Sequence, residues 1–416
     1  MRASASLGSW RGTPRCNRQI RFRAALASLV YAVVVTSEQP KKRRAWWAIG
    51  ASLVVALSLT LPPAWVEAGY CQGVFPWIQN AVVPVTGFVS WPLTLTVLLL
   101  LPIVWPLLAV SRWRRGRQRG LSRGSLGLSG LLRFLRVLLY TAAAFLLMWG
   151  IGYRRVPIEE RWRLLDEQVE YEHVRDVGLR LLAVVRRDAP KEGDSIDEVA
   201  AFAQIARESR DLVMEFEGWT PALPRCLKHP PEGLFIAIGI YGVCYPFTLE
   251  ANVDAALPLP MRLAIGGHEL AHVLGYCGEA DANLVSFVAG VRADDSLARY
   301  STALSMLRYA MNGPSNSDNN WLYRNLPQRA RDDLEALADV NREYRVEAVS
   351  QVASKLNDAY LKAQGVELGV EDYERGFRLF VHAFRKGMLE LPAPYPSRAE
   401  EEPGAGSQQK MSPTKK

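Results

Sequence analysis

The chain has 416 residues, more than one typical domain, and its apolar residues are unevenly placed: long uncharged runs fill the first 152 residues, and charged and apolar residues alternate thereafter. The formal net charge of +8 comes mostly from Arg clusters that flank the hydrophobic runs. Charge in that position sets membrane topology and makes a nucleic-acid-binding reading unnecessary.

Residues 1–44 are basic and are expected to form a disordered cytoplasmic extension, or an overlong start. The apolar stretch at 24–35 is too short to span a bilayer, and no persuasive signal cleavage site follows it. Three spans are expected, at 45–66, 91–110 and 131–152. The loop at 67–90 contains no Lys or Arg, whereas the loop after the second span holds Arg112, Arg114, Arg115, Arg117, Arg119 and Arg123. The positive-inside rule then puts the amino terminus and the Arg loop in the cytoplasm and everything after residue 153 outside.

Residues 153–391 are expected to build one extracytoplasmic domain. Helices are read at 159–186, 194–218, 294–312, 327–364 and 370–389. Residues 234–245 (LFIAIGIYGVCY) are apolar, β-branched and broken by Gly, which predicts strands or a hairpin. That segment either aligns a substrate chain by strand addition or is a buried core strand. Residues 392–416, rich in Pro, Ser, Glu and Lys, are expected to be a disordered tail. Cys226 and Cys244 fall in the outer domain, where they could form a disulfide.

The chemistry concentrates at His268-Glu269-Leu270-Ala271-His272, followed by Glu279-Ala280-Asp281-Ala282-Asn283. Two His four residues apart share one helix face and can reach one metal ion, and Glu269 can deprotonate a water bound there. On the next helix Glu279, Ala282, Ser286, Ala289 and Gly290 share a small-residue face that carries Glu279 towards the two His. Asp281 points elsewhere and is the weaker ligand candidate, and Cys277 in the intervening turn is an alternative one. His268, His272 and Glu279 make three ligands, with a fourth position left for water.

Several blocks resemble a bacterial membrane-protein family catalogued as domain of unknown function 3810: WGIGYRRVP (149–157), YPFTLEANVD (245–254), GGHELAHVLGYCGEADANLVSF (266–287), RYSTALSMLRYAMN (299–312) and NDAYLKAQGVELGVEDY (357–373). The chain departs from it at Gly152, where that family tends to have Asn, and in its Arg-rich beginning. The resemblance implies a three-span membrane protein with a zinc-peptidase site and no assigned substrate. Its EADAN element looks like the third-ligand helix of gluzincin peptidases, which supports Glu279.

The expectation is a mainly α membrane protein: three transmembrane helices, then a mostly helical zincin-like domain with a small β element. Zn2+ held by His268, His272 and Glu279 would serve a metallopeptidase of the bacterial cytoplasmic membrane, with Glu269 as general base. Its partners would be a peptide or protein near the membrane surface and the lipid bilayer, with no nucleic acid. Tyr300, Tyr360 and His382 are candidates for a second oxyanion donor. Glu250 and Asn252 are candidates to line the cleft or orient a His ligand. The rival reading is a non-catalytic, zinc-stabilised sensor or scaffold, which would not need Glu269. Intramembrane proteolysis is the least expected reading, because the segment around His268, with Arg262 and Pro260 on one side and Gly275 to Asp281 on the other, cannot span a bilayer.

Overall fold

The computed structural model describes residues 42–164, 168–312, 315–364 and 372–397, which form two units. Helices α1 (Lys42–Thr60), α2 (Phe75–Thr86), α3 (Leu93–Gln118) and α4 (Arg123–Met148) come first. One unit takes residues up to 61 together with 102–147; the other takes 62–101 and everything from Met148 onward.

Helices α3 and α4, most of whose residues belong to the first unit, are each long and apolar enough to cross a membrane. Each has 26 residues, which at 1.5 Å per residue rise about 39 Å against a hydrocarbon core of about 30 Å. Both helices extend beyond the expected spans into the Arg-rich loop. Their connection is tight. Gly120 takes a left-handed φ of 77°, the Leu121 N–H donates to the Gly116 carbonyl, and a Cβ on Gly116 would stand 2.3 Å from Leu126. The first expected span is not one helix: α1 ends at Thr60, and Pro62 caps a new short helix at Pro63–Trp65. Val66 instead begins a π-helix (Val66–Val74) and is fully buried in the second unit.

The second unit is helical around one small sheet. Its elements are α5 (Ile158–Arg161), α6 (Tyr171–Asp188), α7 (Glu198–Glu217), β1 (Gly242–Tyr245), β2 (Glu250–Val253), α8 (Leu259–Val273), α9 (Glu279–Arg292), α10 (Ser296–Ala310), α11 (Asn316–Arg324), α12 (Gln328–Tyr344), α13 (Glu347–Gln364) and α14 (Asp372–Arg385). Two helices expected as single runs are each divided. The 159–186 stretch breaks after α5, and 327–364 breaks between α12 and α13.

Helix α9 is the hub of the core, buried on nearly every side because α7, α8, α10 and α14 surround it. An all-round apolar helix is what such a position requires. Only the last four residues of the 234–245 segment form a strand. Its start is held as a turn, because the Asp254 carboxylate accepts N–H bonds from Gly233, Phe235 and Ile236. β1 and β2 pair antiparallel, with Val243 opposite Asn252 and Cys244 opposite Ala251.

Residues 392–397, expected to be disordered, pack on the fold. The Tyr395 N–H donates to the Leu179 carbonyl at 3.1 Å, and its ring lies beside Trp321 and under the Arg186 guanidinium. The aromatic ring supplies burial that a Pro- and Ser-rich composition conceals. The rest of that tail, and residues 1–41 of the basic extension, lie outside the described residues.

Candidate metal centre

Local sequence builds the site. Helix α8 starts behind Pro258 with Pro260 in its first turn, where a missing N–H costs nothing, and stops at Gly275, whose φ is 96°. His268 and His272 fall one turn apart on α8, with ring centroids 4.7 Å apart. Helix α9 begins at Glu279 and crosses α8 closely: a Cβ on Gly267 would lie 3.5 Å from the Cβ of Ser286. Gly290, expected on the same face, serves a different neighbour. Its missing Cβ makes room for Thr302 of α10.

The result is one buried cluster. Donor atoms of His268, His272 and Glu279 all lie within 4.8 Å of one another. His268 Nε2 is 3.1 Å and His272 Nε2 is 3.4 Å from the same oxygen, Glu279 Oε2. The other ring nitrogens are held by acceptors: His268 Nδ1 at 2.8 Å from Asn283 Oδ1, His272 Nδ1 at 2.7 Å from the Tyr276 carbonyl. An acceptor at Nδ1 requires a proton there, so Nε2 is the nitrogen that faces Glu279: it donates to the carboxylate when the imidazole is protonated and offers its lone pair to a cation when it is not. Two imidazoles so oriented, with one carboxylate, are a donor set that fits a divalent cation of the zinc type.

Burial and charge act together. Burial pushes the Glu279 carboxyl up, but the charge of His272 and hydrogen bonds from both imidazoles outweigh it and hold the acid well below its usual range. Burial lowers the His272 imidazole, yet the Glu279 charge and hydrogen bond raise it to about 9. At Glu269 burial wins over both imidazoles, and its carboxyl is raised. Glu269 lies directly under β1. A Cβ on Gly242 would stand 2.7 Å from Glu269 Oε1, and the Cys244 N–H donates to the carboxylate. The Asp254 N–H bonds to the Tyr241 carbonyl, so alternation along the antiparallel pair turns the backbone groups of Gly242 and Cys244 to the outer edge of β1.

The remaining candidates separate. Asp281 is outside the ligand cluster, paired with Arg161 at 3.0 Å and Arg375 at 3.8 Å. Cys277 is also outside it, with its sulfur 3.5 Å from the Trp149 carbonyl. A Cβ at Gly152 would approach that sulfur to 2.5 Å, so any side chain at 152 competes with Cys277 for space. Cys226 and Cys244 are both free thiols. Tyr300 is fully buried and donates to Asp333 at 2.6 Å, which makes it a core group. His382 stands on α14 outside the ligand cluster. The Tyr360 hydroxyl donates to that of Tyr153 at 3.3 Å, and both phenols, raised by burial, feel the Glu279 charge.

Glu250 and Asn252 are not placed to line a cleft or orient a ligand. Glu250 is buried, pairs with Lys228, and accepts N–H bonds from Leu93 and Thr94 at 3.1 Å each. It caps the first turn of apolar helix α3, where a carboxylate satisfies free N–H groups and complements the helix dipole. Asn252 donates to the carbonyls of Val243 and Glu250, while the His268 and His272 rings are held by Asn283 and Tyr276.

A family model described as Protein of unknown function (DUF3810) matches residues 70–381. The chain belongs to that family. No curated protein and no solved structure matches it.

The matched region of this DUF3810 chain also contains supporting residues that sequence reasoning missed. Asn283 was within reach of it, since it follows Glu279 by four residues and shares its helix face. The others come from distant segments. Arg155 bridges Glu67 (2.7 Å) and Glu217 (2.6 Å), and Arg161 joins Glu217 and Asp281. Both guanidinium groups lie 5.6 Å from the ring centre of Tyr276, whose carbonyl holds His272. The Trp149 ring meets the His272 ring edge-on at 5.6 Å. No local periodicity in the DUF3810 sequence announces those partners.

Proposed function

We propose that this protein is a membrane-anchored zinc metallopeptidase that hydrolyses peptide bonds outside the cytoplasmic membrane. The observation that carries the reading is the convergence of His268, His272 and Glu279 beside Glu269, under an edge strand whose outer backbone groups are turned outward. When bound, zinc supplies Lewis acidity, polarising a carbonyl and making water acidic near neutral pH. His268, His272 and Glu279 would hold it, with Asn283 and the Tyr276 carbonyl fixing the imidazoles. Glu269 takes the proton of the attacking water and returns it to the leaving amine. β1 aligns the substrate chain through its outer edge, where the Cys244 N–H already holds Glu269, and the hydroxyls of Tyr153 and Tyr360 are the donors best placed to sense charge at Glu279.

The membrane arrangement has its own support. If α3 and α4 both span, the Arg loop that joins them is cytoplasmic and their other ends lie outside. Residues 62–92 and 149 onward then emerge on the same side. This agrees with their forming one compact unit, in which Arg155 pairs with Glu67 and Gln79 bonds to Ala222. Arg155, a cation on the wrong side for the charge rule, is spent in buried ion pairs.

One observation favours the scaffold reading: all three ligands and Glu269 are buried, so a substrate needs an opening to enter. Glu269→Gln decides between the two. This variant of the full chain is expected to fold and bind zinc as wild type while peptide hydrolysis falls about a hundredfold, the usual scale for a lost general base. Zinc content, thermal stability and cleavage of a peptide library would be measured on the same preparations. Hydrolysis unchanged with zinc still bound would remove Glu269 from the mechanism.

A further inference from the structure

From Ala68 to Ser111 the chain contains no Lys, Arg, Asp or Glu, yet much of this stretch belongs to the outer unit. Helix α2 within it is two-faced. Phe75, Gln79, Val83 and Thr86, spaced for one face, are buried. Gln79 and Asn80 clamp the backbone of Ala222, with the Ala222 N–H donating to Gln79 Oε1 and Asn80 Oδ1 at 3.0 and 2.8 Å. The opposite face exposes Trp77 (82 %), Val85 (67 %) and, just past the helix end, Phe88 (71 %). Trp65, just before the π-helix that leads into α2, is 70 % exposed. Water is a poor solvent for such a face, and exposed apolar patches of this kind mark an interaction surface.

Chain connectivity identifies the occupant. Only residues 87–92 separate α2 from α3, and six residues reach at most about 20 Å when fully extended. A helix tied that closely to the end of a span stays within reach of the membrane surface. The segment also has the composition of that boundary: Trp77, Phe88 and Trp91 on the apolar side, with the Arg225 guanidinium stacked 4.4 Å from the ring centre of Phe88. Phe75 on the inner face closes against Gly275 at the end of α8. Lipid contact on one side of α2 is therefore packed directly against the helix that carries His268 and His272.

We propose that α2 is an in-plane interfacial helix. Its Trp77–Val85–Phe88 face lies in the headgroup–acyl boundary of the outer leaflet, and Arg225 lies at the level of the lipid phosphates. The inference rests on α3 crossing the bilayer, and the test reads the two separately. The full chain is reconstituted in phosphatidylcholine nanodiscs that contain a lipid with a photoactivatable group near the glycerol backbone, and cross-linked peptides are mapped. In parallel, quenching of Trp fluorescence by lipids brominated near the carbonyl is compared between wild type and Trp77→Phe. Phe at this exposed position leaves the fold intact.

The expected result is lipid adducts on residues 77–88 as well as on α3, and loss of a quenchable component in Trp77→Phe. Adducts on α3 with none on 77–88, and the same quenching in both proteins, would overturn the interfacial helix while leaving the span in place. Absence of adducts on both would overturn the span and the inference together. Protection of 77–88 by a second copy, seen as a dimer in which α2 receives no lipid, would also overturn it.

Discussion

Asn283 offers a direct test of whether the cluster is a metal site or only a buried ion pair. Its Oδ1 sits 2.8 Å from His268 Nδ1 in a setting closed to water. Asn283→Ala removes that acceptor, freeing the imidazole to rotate or to move its proton to Nε2, where it would block the donor lone pair. Loss of such a supporting bond typically weakens metal binding about 10- to 100-fold, which is about 1.4 to 2.7 kcal/mol. Asn283→Asp keeps an acceptor at the same point and is expected to retain zinc. Asp281→Ala removes a nearby carboxylate that pairs with Arg161 and Arg375, so it should cost stability while zinc affinity holds. Glu279→Ala should weaken zinc binding strongly, and His268→Ala or His272→Ala should abolish it. The assay is equilibrium competition for zinc against a chromophoric chelator, with thermal unfolding measured on the same samples. Wild-type affinity in a folded Asn283→Ala protein would refute the orienting role. Zinc lost in Asp281→Ala but kept in Glu279→Ala would refute the ligand set.

Other consequences are as specific. Arg155→Met leaves Arg161 as the cation shared by the buried Glu67 and Glu217 and is expected to destabilise the second unit by about 3 kcal/mol, the low end of the range for breaking a buried pair; denaturant titration reads this, and a change below about 1 kcal/mol would show Arg155 to be dispensable. Burial raises the Glu217 and Glu250 carboxyls, but Arg155 and Arg161 at the first, and Lys228 with three further donors at the second, hold both below the normal range. Their contribution is therefore complete above the unfolded value of about 4.3 and is lost as pH falls through the depressed folded values. Acid unfolding followed by circular dichroism should become steep only below that pH, and a loss of stability beginning near neutrality would count against these pairs. A reporter fused after residue 397 should be active only outside the cytoplasm; activity inside would reverse the topology.

What was legible in the sequence was whatever depends on neighbours a few positions away. A helix repeats every 3.6 residues, so His268 and His272 had to share a face, and the small residues of α9 pointed Glu279 and not Asp281 towards them. Two helices long and apolar enough to span, with Arg concentrated between them, follow from composition alone. Tertiary structure decided the rest, because a side chain's partner across the fold leaves no local trace. Glu250 sits in a stretch that reads as cleft-lining but is consumed as the cap of α3, more than 150 positions earlier in the chain. Tyr300 reads as a free hydroxyl until Asp333 is found beside it. Arg155, which as a bare charge argues for the cytoplasm, is neutralised by Glu67 and Glu217, and burial in low dielectric is what makes that pairing obligatory. The two imidazoles, and the nearby Asn283 and Tyr276 carbonyl that hold them, are neighbours along the chain, whereas the Arg155 and Arg161 guanidinium groups over Tyr276 became visible only when distant segments met.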